Sequence, residues 1–79
     1  MNEIREFLIN YIVDKFSVDK EDVKTEPMCY LMDSLDIVDL IMEIETHYNF
    51  EFEEDFYETI GERTLDEIVE YIKQKNGGR

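Results

Sequence analysis

Cysteine is nearly absent from this chain of 79 residues, and long apolar runs are missing altogether. The single cysteine, Cys29, excludes a disulfide within the chain and is typical of a reducing compartment. No apolar stretch reaches the roughly 20 residues that a transmembrane helix needs. The first residues lack the basic segment followed by an apolar segment that marks a signal peptide. These absences predict a cytoplasmic protein that does not insert into a membrane.

Basic residues are also scarce, with 8 lysines and arginines against 21 aspartates and glutamates, for a net charge of −13. A charge of this size repels nucleic acids and anionic lipids, and it attracts basic surfaces. Intrinsic disorder is disfavoured because 43% of the residues are hydrophobic and they recur at helical spacing. We therefore expect a folded domain, monomeric by default, that binds basic protein partners and no nucleic acid.

The length fits a single domain, residues 1–79, with one modest hydrophobic core. Apolar periodicity predicts helices at about 2–16, 34–48, 54–60 and 64–75. A long loop at 17–33 joins the first two helices and includes a short helical turn at 19–22. The predicted fold class is all-α, a small four-helix bundle with three longer helices and one short helix.

Local signals refine this outline at the ends of the helices. Asn2 is a candidate cap for the first helix, Asn49 a candidate stop for the second, and 76–78 a terminator for the last. Thr64 and Glu67 have the spacing of a capping box. The side chains expected to close one end of the bundle are Met28, Tyr30 and Leu31. Those expected to face the core from the short helix are Phe56, Tyr57 and Ile60.

The predicted helix at 34–48 has two apolar faces. With residues at about 100° intervals, a core stripe forms from Ile37, Leu40, Ile41, Ile44 and Tyr48. The opposite side carries Leu35, Val38 and Met42, which we call the exposed apolar face. Beside it lies an acidic ridge of Asp36, Asp39 and Glu43. A surface helix of a small domain needs one apolar face, so the second one predicts a docking surface.

The start of this helix presents a serine. Asp33 is a good N-cap because its short carboxylate can accept from an N–H group of the first turn. Ser34 then falls at the first helical position, where its hydroxyl points outward. A phosphate attached there would lie beside free N–H groups and the positive end of the helix dipole. For a three-residue pattern taken alone, an ordinary first-turn serine is the competing interpretation.

Asp33-Ser34-Leu35, followed by Asp-Ile-Val-Asp-Leu at 36–40, resembles the attachment motif of acyl carrier proteins. The resemblance covers essentially the whole chain. It implies an acyl-carrier-like bundle with 4′-phosphopantetheine attached to Ser34 by a phosphopantetheinyl transferase. The arm's thiol would then carry acyl groups as thioesters. The resemblance implies a free-standing carrier that performs no catalysis itself.

The resemblance also implies where partner enzymes dock. The matching acidic positions are Asp36, Asp39 and Glu45, and the matching apolar positions are Leu35, Val38 and Met42. The implied partners are acyl-transfer, condensing or ligase enzymes that carry basic docking patches. Charge steering suits such a carrier, since it gives fast association without large buried area.

The chain departs from the family pattern just before the motif. Leu31 stands where the family usually has a glycine, and the preceding loop looks shorter than in the fatty-acid type. The run Leu-Met-Asp-Ser-Leu looks closer to D-alanyl carriers and specialised-pathway carriers. The pathway therefore stays open between fatty-acid biosynthesis and a specialised, polyketide-like or D-alanyl-type pathway.

A function of another class is also compatible with the charge. An acidic interaction module could mimic a polyanion or bind a basic partner without any prosthetic group, and the fate of Ser34 separates the two. Other candidate chemistry is isolated: His47 and Cys29 lack the companions that a metal site or a general base needs. We assign no catalytic and no metal-binding residue.

Overall fold

The computed structural model describes residues 3–76, and every regular element in that range is helical. In chain order the elements are α1 (Glu3–Phe16), α2 (Lys20–Thr25), α3 (Met28–Leu31), α4 (Ser34–Tyr48), α5 (Glu54–Thr59), a 3₁₀ turn (Ile60–Glu62) and α6 (Leu65–Asn76). The predicted all-α fold class is confirmed. None of these helices combines the length and the apolar character needed to cross a membrane.

The segment predicted as a long loop, 17–33, contains two short helices, and that prediction was wrong for α2 and α3. The α2 helix begins where an Asp19 carboxylate oxygen accepts from the Glu21 N–H at 2.8 Å, and it buries Val23. Pro27 is the N-cap of α3, which buries Met28. Helices of six and four residues are too short to be stable alone, so these tertiary contacts hold them.

The core lies where α1 packs against α2 and α6, while α3 and α4 pack on the 3₁₀ turn. In the described part of the chain the buried side chains are all hydrophobic. Those buried most completely include Ile12, Val23, Met28, Ile44, Leu65, Ile68 and Ile72. Such a core stabilises the bundle but offers no buried polar group for chemistry.

An aromatic stack fills the space between α5 and α6. The Phe56 ring lies 4.0 Å from the Tyr71 ring and 5.6 Å from the Phe52 ring, measured between centroids. The Arg63 guanidinium covers Phe56 at 4.8 Å from the ring centroid. The Tyr71 hydroxyl accepts from the Glu53 N–H at 2.9 Å, so the stack also holds the start of α5.

The ends of the longer helices follow local chemistry. At the end of α4, Asn49 has a left-handed backbone (φ 60°) and donates its N–H to the Glu45 carbonyl at 2.8 Å. At the start of α6, the Thr64 N–H donates to Glu67 Oε1 at 2.9 Å and the Glu67 N–H donates to Thr64 Oγ1 at 3.5 Å. The stop at Asn49 and the capping box are therefore as predicted. The predicted features at Asn2 and 77–78 lie outside the described residues.

Two tyrosines predicted to be buried are on the surface: Tyr30 is 76% exposed and Tyr57 is 44% exposed. The α3 helix is a single turn, so only one of its side chains points fully into the core, and that side chain is Met28. Phe56 of α5 and Ile60, the first residue of the 3₁₀ turn, are four residues apart and share the buried face. Tyr57 is rotated by about 100° from Phe56 and so leaves the core.

Candidate functional site

Ser34 is the exposed first residue of α4. Asp33 precedes it with an extended backbone, and its Oδ1 accepts from the Asp36 N–H at 2.9 Å. The Asp33 carbonyl accepts from the Ile37 N–H at 3.0 Å, which closes the first helical turn. The N–H groups of Ser34 and Leu35 come before the first intrahelical bond, as at any helix start. They and the helix dipole favour an anion beside the Ser34 hydroxyl.

Ser34 opens onto a groove of about 330 Å³ between α4 and the α5–3₁₀ segment. We call it the Ser34 groove. Its apolar lining comprises Ile37, Val38, Ile41, Tyr57, Ile60 and Gly61. Of the described residues that line it, Glu58 alone carries a charge. The floor is closed because Ile41 and Ile60 are buried core residues.

Gly61 of the 3₁₀ turn lines the Ser34 groove opposite the start of α4. A Cβ atom at this position would lie 3.4 Å from Ile37 Cδ1 and 3.5 Å from Cys29 Cβ. These are contact distances, so glycine leaves a small free space at the wall of the Ser34 groove.

The two faces of α4 are clearly separated by their burial. Leu40, Ile41 and Ile44 are at most 2% exposed. The exposed apolar face is at the surface, with Leu35 76%, Val38 36% and Met42 58% exposed. Val38 also lines the Ser34 groove. The structure therefore brings this face next to the serine.

The acidic ridge runs along the other side of the exposed apolar face and approaches α1. The pKa of Tyr11 in α1 is raised by burial of its hydroxyl and then by the carboxylates of Glu43 and Asp39. Tyr11 in turn packs near Phe7, whose ring stacks on His47 at a centroid distance of 4.0 Å. The ridge is thus bordered by an aromatic seam between α1 and α4.

Glu45 does not lie with the other two predicted acidic positions. Its Oε2 accepts from the Phe52 N–H at 3.0 Å, and its side chain is half-buried. Helical spacing places Glu45 on the opposite side of the exposed apolar face from Asp36 and Asp39. The structure therefore connects Glu45 to the turn after α4.

Tyr57 and Glu58 are site residues that the sequence interpretation missed. Both line the Ser34 groove from α5. The signal was present in the four-residue spacing of Phe56 and Ile60, which leaves Tyr57 and Glu58 off the buried face. It was overlooked because three aromatic and apolar residues in a short helix were all assigned to the core.

His47 and Cys29, the two isolated candidates for other chemistry, do not line the Ser34 groove. His47 stacks on Phe7 and is exposed, and the exposed Cys29 belongs to α3. Across residues 3–76, the structure gathers no group of three or more histidine, cysteine, aspartate and glutamate side chains that could hold a metal ion.

Comparison with known proteins decides the family. Residues 6–72 match the family model described as the phosphopantetheine attachment site, which covers most of the chain. The chain belongs to this family. The chain is 36% identical over 76 residues to the acyl carrier protein of Chlorobium luteolum, covering 92% of this chain and 95% of that protein. It is 36% identical over 78 residues to the acyl carrier protein of Amoebophilus asiaticus, covering 95% of each chain.

A third relative, the acyl carrier protein of Chlamydia trachomatis serovar D, is 37% identical over 67 residues, covering 81% of the carrier and 84% of that protein. No solved structure gives a significant match. The family identifies the protein as a non-catalytic carrier with covalently attached 4′-phosphopantetheine. The site fits this group, since an exposed serine hydroxyl stands at a helix start that favours a phosphate.

Proposed function

We propose that the carrier holds its 4′-phosphopantetheine on Ser34 and transports acyl groups as thioesters on that arm. The observation that carries this proposal is the exposed Ser34 at the first position of α4, beside an apolar groove. The bound arm supplies a thiol at the end of a flexible tether. Tethering raises the local concentration of the acyl group at each docked enzyme.

The residues around Ser34 have separate roles in this proposal. Asp33 fixes the start of α4 through its bond to the Asp36 N–H, so that Ser34 stays at the first position with its hydroxyl in solvent. Leu35, 76% exposed, offers an apolar contact directly beside the modified serine. The dipole of α4 and the N–H groups of its first turn stabilise the negative phosphodiester.

The proposed docking surface is the exposed apolar face together with Asp36 and Asp39. Partner enzymes with arginine and lysine patches would be steered to these carboxylates and held briefly by Leu35, Val38 and Met42. A carrier must dissociate after each step, so weak contacts at a small surface suit it. Glu45, by contrast, we assign to holding the turn after α4, because its carboxylate already accepts from Phe52.

The partners in this proposal are a phosphopantetheinyl transferase and acyl-transfer, condensing or ligase enzymes. Fatty-acid biosynthesis and a specialised, polyketide-like or D-alanyl-type pathway both suit the site. The acidic interaction module without a prosthetic group is not supported, because the chain belongs to the phosphopantetheine family. A cytoplasmic location and a monomeric state stay predictions.

The test is the intact mass of the purified apo-protein after incubation with a broad-specificity phosphopantetheinyl transferase and coenzyme A. Wild type should gain one phosphopantetheine and Ser34→Ala none. Ser17→Gly is the matched control, because it removes the chain's other serine hydroxyl at a residue whose φ of 57° suits glycine. Ser17→Gly should gain the full mass. A gain retained by Ser34→Ala would contradict the proposed attachment residue.

A further inference from the structure

The Ser34 groove ends at a closed floor formed by Ile41 and Ile60. Both side chains belong to the hydrophobic core, whose buried members on α4 and α6 are at most 3% exposed. A side chain that bordered a void the size of a water molecule would retain accessible surface. These described core residues therefore border no such void, and the groove does not continue between them into the core.

The α5 helix, which forms the far wall of the groove, is fixed by several contacts. At its start the Tyr71 hydroxyl accepts from the Glu53 N–H at 2.9 Å, and Lys75 Nζ pairs with Glu53 Oε2 at 2.8 Å. In its middle the Phe56 and Tyr71 rings stack at a centroid distance of 4.0 Å. The Arg63 guanidinium covers Phe56 at 4.8 Å from the ring centroid. Moving α5 away from the core would break these contacts, so they keep the floor closed.

The volume of the groove limits what it can hold. A group the size of a methylene takes about 30 Å³, so a groove of about 330 Å³ has room for about eleven such groups. The thioester and the end of the arm take part of this space, which leaves room for about eight carbons of an acyl chain. Of the described residues that line the groove, Glu58 alone carries a charge, so hydrocarbon is favoured over a charged chain.

We propose that the carrier takes short apolar acyl groups, up to about eight carbons, which lie in the Ser34 groove without entering the core. The inference rests on the proposed attachment of the arm to Ser34 and adds the class of the acyl group. The further methylenes of a longer chain stay in solvent, because a close-packed core admits extra volume only by displacing its own side chains. Ile60, at the floor, sets the limit.

The test measures the Tm of the carrier loaded with acyl groups of increasing length. A broad-specificity phosphopantetheinyl transferase loads the apo-protein from acetyl-, butanoyl-, hexanoyl-, octanoyl-, dodecanoyl- and hexadecanoyl-coenzyme A, and intact mass verifies each product. Each methylene that enters the groove should raise Tm by about 2–3 °C, half the shift of a fully buried one. The rise should end near octanoyl. A Tm that keeps rising through hexadecanoyl, or one that does not change from acetyl to octanoyl, would overturn the inference.

Methyl NMR spectra of the hexadecanoyl form give an independent readout, with the unacylated arm as reference. Chemical shifts should change at the groove residues Ile37 and Val38 and stay constant at the core residues Ile44 and Ile68. Changes at Ile44 and Ile68 that grow with chain length would place the acyl chain in the core and contradict the proposed limit.

Ile60→Ala removes side-chain volume at the floor, so the rise in Tm should continue to chains longer than octanoyl. Ile9→Ala is the matched control, because it deletes the same atoms from a buried isoleucine of α1 that does not line the groove. Each series is compared with the unacylated form of the same variant. Ile60→Val, a smaller truncation, serves if Ile60→Ala does not fold, and its limit should move in the same direction. A limit that stays at octanoyl in the Ile60 variant, or that moves equally in Ile9→Ala, would show that Ile60 does not set it.

Failure of the proposed function looks different, because wild type then gains no mass from any acyl-coenzyme A. The capacity of the groove is in that case measured on Ser34→Cys/Cys29→Ser, whose single cysteine stands at the start of α4. The thiolate attacks an alkyl methanethiosulfonate, an S–S bond to the alkyl chain forms and methanesulfinate leaves. A rise in Tm that ends by the dodecyl chain would support the limit, whereas a rise that continues through hexadecyl would overturn it.

Discussion

Tyr11 lies where the aromatic seam of α1 meets the acidic ridge of α4. Its pKa is raised above the ordinary value of 10.0 first by burial and then by Glu43 and Asp39. The pKa of Tyr48 is raised as well, by burial and then by Glu3. The folded protein thus disfavours tyrosinate at both positions, whereas the unfolded chain ionises them near their ordinary value.

We predict that this makes the protein less stable at alkaline pH. A folded-state pKa above the unfolded value contributes stability that is fully present below about pH 10 and is lost as pH rises through the folded pKa. Tyr11→Phe should therefore lose less stability than wild type between about pH 8 and about pH 11, as measured by urea unfolding. The double variant Tyr11→Phe/Tyr48→Phe should lose less stability over this pH range than Tyr11→Phe alone. Equal losses in wild type and both variants would show that neither tyrosine titrates in the expected way.

Single side chains also show what can be misassigned from a sequence. Tyrosine is a residue type that is often half-buried, and both Tyr57 and Tyr30 follow apolar neighbours. Both are exposed because another residue of the same short helix occupies the core: Phe56 in α5 and Met28 in α3. That choice depends on the position of neighbouring helices, which local spacing does not contain.

At the scale of an element, α4 depends on its N-cap. Asp33 accepts from the Asp36 N–H at 2.9 Å, and losing such a cap costs about 1 kcal/mol. We predict that Asp33→Ala lowers the free energy of unfolding by about that amount, measured by urea titration, while Asp33→Asn keeps most of it.

The matched control for this prediction is Glu51→Ala, which removes one exposed negative charge outside a helix. Removing a charge from so acidic a chain should by itself relieve repulsion. If Asp33→Ala proved as stable as Glu51→Ala, the side-chain cap would not contribute to the stability of α4.

The helices differ in how far the sequence could predict them. The boundaries of α4 follow from a capping residue, a sustained apolar period and Asn49, so its range Ser34–Tyr48 is the range expected. The α2 and α3 helices are too short for a period to be recognised, apart from the turn expected at 19–22. They exist because Val23 and Met28 are buried completely against the longer helices.

At the scale of the whole molecule, the net charge of −13 opposes the compact state. The described ion pairs, Arg5–Asp66 at 3.0 Å, Lys24–Glu21 at 3.4 Å and Lys75–Glu53 at 2.8 Å, lie at the surface. Surface pairs of this kind typically contribute little. Repulsion among the remaining carboxylates should therefore dominate the electrostatic part of stability.

We predict that salt acts on stability and on docking in opposite directions. Raising the ionic strength from about 0.02 M to about 0.5 M should raise the free energy of unfolding, because screening weakens the self-repulsion. The same change should lower kcat/KM for the phosphopantetheinyl transferase, because screening weakens steering to the acidic ridge. Sodium chloride and potassium chloride at equal ionic strength should act alike. A stability that falls with salt would contradict the dominance of repulsion.

The sequence by itself determined the features that depend on local chemistry. Cap residues, helical period and charge count are properties of neighbouring positions, so they predicted α4, the capping box of α6, the presented Ser34 and the acidic surface. The tertiary structure decided what depends on distant residues meeting. It created the Ser34 groove, with Tyr57 and Glu58 on its far wall, and it connected Glu45 to Phe52. These contacts arise because the core buries Phe56 and Ile60 against other helices, and that choice exists only once the helices have packed.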